Sequence, residues 1–343
     1  MSIRTGVLGA SGYGGSELLR LLATHPSFDL VAASGSTKAG ERVTSLNPAL
    51  LPYYRELKLC DSNPSNFKGL DLVFLALPHG LSLELAPVLL ESFGVSHVVD
   101  LSADFRLKDK DLYKKWYGFD HNQEKWLKTA LYGLPEINRE DLKGAQLVAV
   151  AGCYVTAAAL CLAPLVQANL IDKVGVIVNG ASGVSGAGRK VDSRYLFASL
   201  DENYFSYGVS NHRHTPEMEQ VTGAQILFTP HLLPINRGIL TTCYARPSKD
   251  MTITPDILSN TLRDYYKDDE FVDIVESPPE VKSTLGSNYC QIFATYDERT
   301  NYVMAFSVLD NLIKGAAGQA IQCANLVFGF KETLGLSALG IYP

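Results

Sequence analysis

The first 24 residues combine a strand, a glycine-rich turn and a helix, and this combination restricts the fold more than any other feature. Ile3 to Leu8 predicts a buried strand, Ser16 to Thr24 has leucines at helical spacing, and Gly9-Ala-Ser-Gly-Tyr-Gly-Gly15 joins them. Such a turn lets the backbone approach a pyrophosphate, to which the N–H groups of the helix start donate. We therefore predict a dinucleotide-binding unit, although the spacing is GxxGxxG and such turns also occur with nothing bound. The residues expected at the cofactor are Gly9, Ser11, Gly12, Tyr13 and Gly14.

The residues after the second predicted strand bear on which dinucleotide binds. Phe28 to Ala33 is that strand, and Ser34-Gly-Ser-Thr-Lys38 follows it. Folds that select NAD place an Asp or Glu here to hold the ribose 2′-hydroxyl, but this chain has no carboxylate between the strand and Glu41. Hydroxyls and a lysine can hold a 2′-phosphate, so we predict NADP(H), with Ser36 and Lys38 as contacts. The stretch is also typical of an ordinary turn.

Two further apolar runs predict parallel strands that bring polar residues to one edge of a sheet. Leu70 to Leu77 ends in Pro78-His79-Gly80, and Val98 to Leu101 is followed by Ser102, Asp104 and Arg106. We expect Ser102 and Arg106 to contact the substrate, because a guanidinium pairs well with an anion. A surface ion pair is the alternative for Arg106. Residues 107–145 predict an ordered excursion that leads to the next strand.

A thiol stands at a strand-to-helix junction near the middle of the chain. Leu147 to Val150 predicts a strand buried on both faces, Thr156 to Val166 predicts a helix, and Cys153 lies between them. Unpaired N–H groups and the positive end of a helix dipole favour the thiolate at such a position. Two interpretations stay open, a nucleophile and a small buried hydrophobe, which is what most free cysteines are.

After the Cys153 helix, predicted strands follow one another with fewer helices between them. This pattern indicates a mixed or antiparallel sheet in an α+β domain, which follows an α/β domain. A chain of 343 residues is expected to form two domains. We predict residues 1–150 with 312–343 as the first domain, 151–311 as the second, and a final helix over Leu312 to Phe330. The predicted strands of the second half are Val174–Asn179, Gln225–Phe228, Gly238–Tyr244, Phe271–Val275, Tyr289–Thr295 and Tyr302–Leu309.

Two polar motifs lie in the second half. The glycine loop 182–190 ends in two cations and either closes over a cofactor, binds an anion or serves as a linker. Asn211-His-Arg-His-Thr-Pro-Glu217 concentrates two histidines and an arginine. It is open to three interpretations: acid/base chemistry beside an anion-binding arginine, metal ligation, or a solvated turn. We favour the first and expect no metal. His231 and Arg237 either face the site or organise a proline-rich turn.

Charge and cysteine usage exclude several classes of partner. The net charge is −6 without long runs of one sign, so nothing indicates binding to nucleic acid or to an anionic membrane surface. The expected partners are small molecules or copies of the same chain. Six cysteines are scattered without a CxxC pair, which fits a reducing compartment. With no signal-like segment at the N-terminus, the expected location is the cytoplasm.

Taken together and in order, the motifs resemble the N-acetyl-gamma-glutamyl-phosphate reductases, a family of arginine-biosynthesis enzymes in the aspartate-semialdehyde dehydrogenase superfamily. The residues that carry the resemblance are Gly9-Ala-Ser-Gly-Tyr-Gly-Gly15, Leu101-Ser-Ala-Asp-Phe-Arg106, Tyr132-Gly-Leu-Pro-Glu136, Gly152-Cys-Tyr, Ser185-Gly-Ala-Gly-Arg189, His212-Arg-His-Thr-Pro-Glu217 and Asp310-Asn-Leu-Ile-Lys-Gly-Ala-Ala-Gly-Gln-Ala320. One position departs from the family pattern: Val155 stands where the family usually has proline.

The resemblance implies a fold and a set of roles. The fold is an N-terminal Rossmann domain followed by an α+β domain that forms a homodimer or homotetramer. The activity is NADPH-dependent reduction of an acyl phosphate, which releases phosphate, through a thioester on Cys153. His212 is the favoured acid/base and His214 the second choice. The cofactor contacts implied in the second domain are Ser182, Gly183 and Asn311, and the substrate contacts are Ser102, Arg106, Arg189, Arg213 and Glu217.

Three rival functions fit some of these residues. A reductase of aspartyl phosphate or of an N-blocked aminoadipyl phosphate would need the same chemistry. A cysteine hydrolase would have a similar nucleophile and base, but it gives no reason for the glycine turn. A non-catalytic module that keeps the fold would tolerate loss of Cys153 and of both histidines.

Overall fold

The computed structural model describes residues 2–189 and 191–342, and these form two units. The first contains the residues up to Ala151 together with Ala316–Leu336, and the second contains Gly152–Gly315 together with the residues from Ser337 onward. Each unit holds one β-sheet.

The C-terminal tail, from Ser337 onward, belongs to the second unit, whereas the sequence prediction grouped 312–343 with the first domain. The backbone N–H of Ile341 donates to the carbonyl of Leu285 at 2.6 Å, and the N–H of Asn288 donates to the carbonyl of Ser337 at 2.9 Å. These backbone bonds hold the tail to the second unit.

The strands are numbered in chain order. Within the described residues they are β1 Ile3–Leu8, β2 Phe28–Ala33, β3 Leu72–Leu75, β4 His97–Asp100, β5 Leu131–Gly133, β6 Leu147–Val150, β7 Val176–Gly183, β8 Phe205–Ser206, β9 Ile226–Leu233, β10 Ile239–Ala245, β11 Val272–Ile274, β12 Cys290–Asp297 and β13 Tyr302–Leu309.

The α-helices range from single turns to the fifteen-residue helix that begins at Cys153. In the described part of the chain they are α1 Tyr13–Leu22, α2 Val43–Leu46, α3 Leu51–Tyr54, α4 Ser82–Ser92, α5 Asp111–Tyr117, α6 Glu124–Thr129, α7 Pro135–Asn138, α8 Cys153–Gln167, α9 Phe197–Leu200, α10 His214–Thr222, α11 Pro255–Tyr265 and α12 Gly318–Val327. None of these described helices is both long and apolar enough to cross a membrane.

The first unit is an α/β structure built on a parallel sheet. Its strand order is β2-β1-β3-β4-β6-β5, and every neighbouring pair is parallel. All residues of β3 and β6 are buried, as expected for strands covered on both faces. Leucines of α1 and residues of α12 belong to one apolar cluster, and leucines of α4 belong to another. The predicted α/β fold is confirmed for this part of the chain.

The second unit is built on a mixed sheet, which confirms the predicted α+β character. Its strand order is β11-β12-β13-β10-β7-β9-β8; β11 pairs with β12 and β7 with β9 in parallel, and the other pairs are antiparallel. Helix α8 packs on this sheet through β10 and β13, and every residue from Tyr154 to Val166 is buried. The sheet therefore supports the helix that starts with Cys153.

Several element bounds differ from the sequence prediction. Helix α1 begins at Tyr13 rather than Ser16, because the packing of its leucines outweighs the low helix propensity of two glycines. The predicted C-terminal helix is divided into a π-helix, Ile313–Ala317, and α12. Strand β5 lies inside residues 107–145, which were predicted as an ordered excursion. Its three residues are too few to show the alternation of apolar and polar residues that predicts a strand.

Candidate active site

The glycine turn of the first unit is a close-packed backbone cradle. Gly9 has a φ of +96°, and a Cβ placed on it would lie 2.3 Å from the carbonyl oxygen of Ala76. A Cβ on Gly15 would lie 2.3 Å from the carbonyl oxygen of Gly9. Glycine is therefore required at both positions, by backbone conformation at the first and by close approach at the second.

The start of α1 leaves room for a ligand. Gly12 is the N-cap and has no side chain to satisfy the first N–H groups of the helix. A Cβ on Gly14 would meet nothing within 4 Å. Ser11 is half-buried and Tyr13 is exposed beside this opening. The turn thus offers N–H donors and space, as a bound pyrophosphate requires.

The segment after β2 is tied to this turn. The N–H of Gly9 donates to the hydroxyl of Ser34 at 3.2 Å. Ser36–Lys38 then form a single exposed 3-10 turn. The ammonium of Lys38 lies 3.0 Å from the carboxylate of Glu41.

A buried network of two serines and two aspartates lies where β3 and β4 end. The Ser82 hydroxyl contacts Asp100 at 2.7 Å, Asp104 at 2.9 Å and the hydroxyl of Ser102, which contacts Asp100 at 2.8 Å. The two serines have only two hydroxyl protons for these four contacts. A proton on one of the carboxyl groups would turn a third contact into a hydrogen bond. Burial, and then the charge of Asp104, raise the pKa of Asp100 to about 6.

The network also fixes the turn after β3. Asp104 accepts the N–H of Gly80 at 2.8 Å and that of Leu83 at 3.1 Å. The hydroxyl of Ser102 is buried and bonded inside this network. Its expected contact with substrate therefore stays a prediction.

Arg106 is buried in the first unit and not an exposed surface ion pair. Its guanidinium donates to the carbonyl of Leu101 at 2.7 Å, and only 6% of the residue is exposed. A buried guanidinium with a fixed orientation is suited to an anion, since it costs little further ordering.

Cys153 is the first residue of α8, three residues earlier than the sequence predicts this helix to begin. It is half-buried, and Gly152 is the N-cap. The N–H of Gly152 donates at 2.9 Å to the carboxylate of Glu217, which is fully buried. Glu217, in α10, therefore anchors the backbone directly before the thiol.

The two histidines of the His-Arg-His motif lie beside this helix start. A Cβ on Gly152 would lie 2.5 Å from Nε2 of His214, so this ring packs against the backbone next to Cys153. The N–H of His214 donates to Nδ1 of His212 at 3.1 Å. The neutral His212 ring therefore carries its proton on Nε2. The ring centroids of the two histidines are 4.8 Å apart.

The surroundings of His212 disfavour its charged form. Burial, and then the neighbouring charge of Arg213, lower the pKa of His212 to about 4. Its ring lies among aromatic side chains at centroid distances of 5.2 to 5.9 Å, from Phe228, Tyr207 and Tyr154. Burial also raises the pKa values of Tyr154 and Tyr207 well above the ordinary value. His212 is neutral at neutral pH.

Asn311 organises the glycine loop of the second unit. Its side-chain amide donates to the hydroxyl of Ser185 at 2.9 Å, and its carbonyl accepts the N–H of Gly238 at 2.7 Å. The Ser182 hydroxyl donates to the carbonyl of Gly183 at 3.0 Å. The three predicted cofactor residues of this unit therefore lie at one loop, whose last cation, Lys190, is outside the described residues.

The second unit gathers its predicted catalytic residues at one place, whereas the two arginines predicted to bind substrate in this unit are exposed. Cys153, His212, His214 and Glu217 lie together where α8 and α10 begin. Arg189 and Arg213 have exposed side chains. Arg237 lies 3.5 Å from the buried carboxylate of Asp310. Within the described residues, three or more His, Cys, Asp or Glu side chains are nowhere grouped to hold a metal ion.

Two features of this site are not predicted by the sequence. The hydroxyl of Tyr207 donates to that of Tyr154 at 3.4 Å, and the latter donates to the carbonyl of His231 at 2.9 Å. No sequence signal links these three residues. The second feature, the anchoring role of Glu217, had a partial signal: His214 and Glu217 are three residues apart, which places them on one helix face.

Two family models match the chain, and their boundary lies next to the thiol. The semialdehyde dehydrogenase NAD binding domain matches residues 4–145, and the semialdehyde dehydrogenase dimerisation domain matches residues 153–311.

Curated relatives match the chain over its full length. An N-acetyl-gamma-glutamyl-phosphate reductase of Symbiobacterium thermophilum is 44% identical, with 100% of both chains covered. One of Clostridium novyi is 42% identical, with 98% of both covered.

Solved structures share the fold at low sequence identity. Aspartate semialdehyde dehydrogenase with NADP from Candida albicans has a TM-score of 0.73 and 17% identity, over 95% of this chain and 98% of the other. Aspartate semialdehyde dehydrogenase II complexed with ASA from Vibrio cholerae has a TM-score of 0.70 and 16% identity over the same shares.

Proposed function

The chain belongs to the N-acetyl-gamma-glutamyl-phosphate reductases of the semialdehyde dehydrogenase family, and we propose that it reduces N-acetyl-gamma-glutamyl phosphate with NADPH in arginine biosynthesis. The products are N-acetylglutamate 5-semialdehyde and phosphate. One observation carries the proposal: Cys153 is the first residue of α8, and the ring of His214 packs against Gly152, which precedes it. The chain that holds this pair matches a curated reductase over its full length.

NADP(H) fits the glycine cradle of the first unit. We propose that Gly9, Ser11, Gly12, Tyr13 and Gly14 hold its pyrophosphate and that Ser36 and Lys38 hold its 2′-phosphate. In support, side chains at Gly9 and Gly15 would collide with backbone, whereas the space at Gly14 is open. For the nicotinamide end we propose Ser182, Gly183 and Asn311. When bound, the dinucleotide supplies the hydride.

We propose that Cys153 performs covalent catalysis. Its thiolate attacks the acyl carbon of the substrate; a C–S bond forms, the C–O bond to phosphate breaks, and phosphate leaves. The thioester is then reduced, and the thiolate leaves as the aldehyde forms. Both departing groups are good leaving groups, so one difficult step becomes two easier ones.

The two histidines receive different roles. We propose that His214 accepts the thiol proton of Cys153, because its ring packs beside the residue that precedes the thiol. For His212 we propose a hydrogen bond from Nε2–H to the substrate oxygen where negative charge develops. This replaces the full proton transfer expected for His212 from the sequence, since a neutral ring cannot readily give up its only N–H proton.

Cations hold the charged groups of the substrate. We propose that Arg106, Arg189 and Arg213 bind its phosphate and carboxylate, with the buried Arg106 in a fixed orientation. We also propose substrate contacts for Ser102. Glu217 supports the site through Gly152, in addition to the contact with substrate that we expect.

The proposal also covers the roles of the two domains, the oligomeric state and the cellular location of the enzyme. We assign cofactor binding to the first unit and catalysis with self-association to the second, in a homodimer or homotetramer; the match of 153–311 to a dimerisation domain supports self-association. We place the enzyme in the cytoplasm, where reducing conditions keep a catalytic thiol active.

The reverse reaction tests the function and the nucleophile together. We expect purified protein to reduce NADP when given N-acetylglutamate semialdehyde and phosphate, and to require both. Cys153→Ala should abolish the reaction, whereas Cys60→Ala, which removes another half-buried thiol, should keep it. Reaction only with aspartate semialdehyde or with the longer aminoadipate analogue would overturn the substrate assignment. Full activity of Cys153→Ala would overturn the thioester.

A further inference from the structure

A glycine of the π-helix Ile313–Ala317 lies against Cys153. A Cβ placed on Gly315 would be 2.8 Å from Cβ of Cys153 and 3.3 Å from its Cα, with a methyl carbon of Leu309 also at 3.3 Å. Carbon atoms in ordinary contact lie at least about 3.5 Å apart. The backbone of Gly315 is helical, a conformation that alanine adopts readily. The closeness of Cys153, and not the backbone conformation, therefore excludes a side chain at this position.

A buried carboxylate fixes the π-helix. Asp310 is fully buried, and its Oδ1 accepts the N–H of Leu312 at 2.8 Å and that of Ile313 at 3.2 Å. The backbone carbonyl of Asp310 accepts the N–H of Gly315 at 3.0 Å, a bond of the i to i+5 type that defines a π-helix. Its Oδ2 accepts the N–H of Gly286 at 3.0 Å, which joins the turn to a distant segment. The backbone that carries Gly315 therefore cannot easily retreat from the thiol.

The start of α8 is fixed on its other sides. Glu217 accepts the N–H of Gly152 at 2.9 Å, and the ring of His214 packs against Gly152. Every residue from Tyr154 to Val166 is buried. The side chain of Cys153 thus lies between an anchored helix start and an anchored π-helix, and the distance between these two elements determines its position. Short π-helical turns are frequent at functional sites.

We propose that Gly315 is a positioning residue for Cys153. Because Gly315 has no side chain, the π-helix packs directly on the cysteine Cβ and holds the thiol near the N–H groups of the helix start, where it reaches the carbonyl carbon of the substrate. A methyl group on Gly315 would force the two elements about 0.7 Å apart and displace the thiol. A misplacement of about 1 Å can lower a reaction rate about 100-fold. This inference rests on the proposed function in one respect, that Cys153 is the nucleophile.

Gly315→Ala tests the proposal in the reverse reaction with NADP, phosphate and N-acetylglutamate semialdehyde. We expect kcat to fall about tenfold, because the displaced thiol attacks the aldehyde carbon less readily. The KM of each substrate should stay within about twofold, since the aldehyde and the dinucleotide bind as before.

Val303→Ile is the matched control, because it also adds one carbon to the interior of the second unit. Val303 is buried and pairs with Ala245 at the end of β10. The carbonyl of the next residue, Arg246, accepts the N–H of Asp172, which follows the C-terminal end of α8. The added carbon therefore lies at the opposite end of the helix from Cys153, and the control should keep the kcat of the unmodified protein.

Thiol labelling by iodoacetamide, followed by mass spectrometry, gives a second measurement that does not depend on turnover. Cys161, which is buried in α8, should stay unlabelled as long as the protein is folded. We expect Cys153 of Gly315→Ala to be labelled about threefold more slowly at pH 7 than in the unmodified protein, because its displaced thiolate lies further from the N–H groups of the helix start. The two rates should converge at a pH that ionises the thiol fully.

The outcomes separate this inference from the proposed function. A folded Gly315→Ala with the kcat and the labelling rate of the unmodified protein would overturn the positioning role and leave the reductase assignment intact. If labelling of Cys161 showed that this variant does not fold, Asp310→Asn, which loosens the π-helix without an added atom beside the thiol, would take its place; an unchanged kcat in that variant would count against the proposal equally. Full activity of Cys153→Ala would remove the nucleophile from the proposed function, and this inference with it.

Discussion

The neutrality of His212 follows from where its ring lies. An imidazole among three aromatic rings loses hydration, and the adjacent guanidinium of Arg213 adds a like charge to the protonated form. Desolvation is the larger cause, so a neutral ring is a property of the packing itself. A ring fixed in this state can donate a hydrogen bond to a developing oxyanion over a wide pH range.

Removal of the Arg213 charge tests whether it contributes to the low pKa of His212. The structure predicts that Arg213→Met raises the pKa of His212 from about 4 toward its ordinary value without reaching it, because burial persists. The titration of the imidazole NMR signals of the unliganded protein measures this. Arg189→Met, at another exposed arginine of the second unit, should leave the His212 titration unchanged. An unchanged titration in Arg213→Met would show that burial acts alone.

Residue types at this site were predictable, whereas their partners were not. Cys153 and the His-Arg-His motif stand out because a helix start favours the thiolate and because an imidazole can exchange a proton near neutral pH. The bond from Gly152 to Glu217 joins positions 65 residues apart, and only the packing of α8 against α10 creates it. Likewise, the burial of Ser102 depends on two aspartates whose side-chain directions the sequence does not reveal.

The start of helix α8 explains how Val155 can replace a proline. Val155 is the third residue of the helix, and the N-cap carbonyl of Gly152 first accepts an N–H from Thr156. The N–H of Val155 is thus among the initial N–H groups that have no partner within the helix. Proline at this position would remove a donor that the helix does not use.

Val155→Pro is therefore predicted to leave turnover within a few fold of the parent and to change stability by less than about 1 kcal/mol. Steady-state kinetics and thermal unfolding measure the two effects. Leu160→Pro, in the middle of the same helix, is the contrasting variant and should lose about 3 kcal/mol or more. If Val155→Pro lost its activity, or lost as much stability as Leu160→Pro, the backbone before Thr156 would have to differ from the structure described above.

Elements with strong periodic patterns were predicted best. The bounds of β1, β2, β6 and β13 agree with the sequence prediction, because apolar runs bounded by turn residues have few alternatives. Helix α11 was not predicted, although Thr254 caps it and Pro255 opens it. Its buried residues, Leu258 and Leu262, lie on one helix face, but polar residues make up most of the rest of the helix. The C-terminal tail depends on backbone bonds to a distant segment, which leave no pattern in the sequence.

The Asp100 network makes the stability of the folded protein depend on pH. The folded protein holds this carboxyl with a pKa of about 6, whereas an aspartate in an unfolded chain titrates near 4. Between these values the folded state keeps a proton that the unfolded chain has released. Stability from this group therefore falls as pH rises through that window, and above it the cost reaches about 3 kcal/mol.

Asp100→Asn removes this cost while it keeps an acceptor for the N–H of Ser102 and gains donors for the serine hydroxyls. We expect the melting temperature of the variant, relative to the parent, to rise between pH 4 and pH 7 and to level off above that. Thermal unfolding of both proteins in a pH series measures the difference. Asp141→Asn, at an exposed aspartate of the same unit, is the matched control for the change in net charge. A difference for Asp100→Asn that stays constant with pH would mean that burial does not raise the pKa of Asp100 above the value of an aspartate in an unfolded chain.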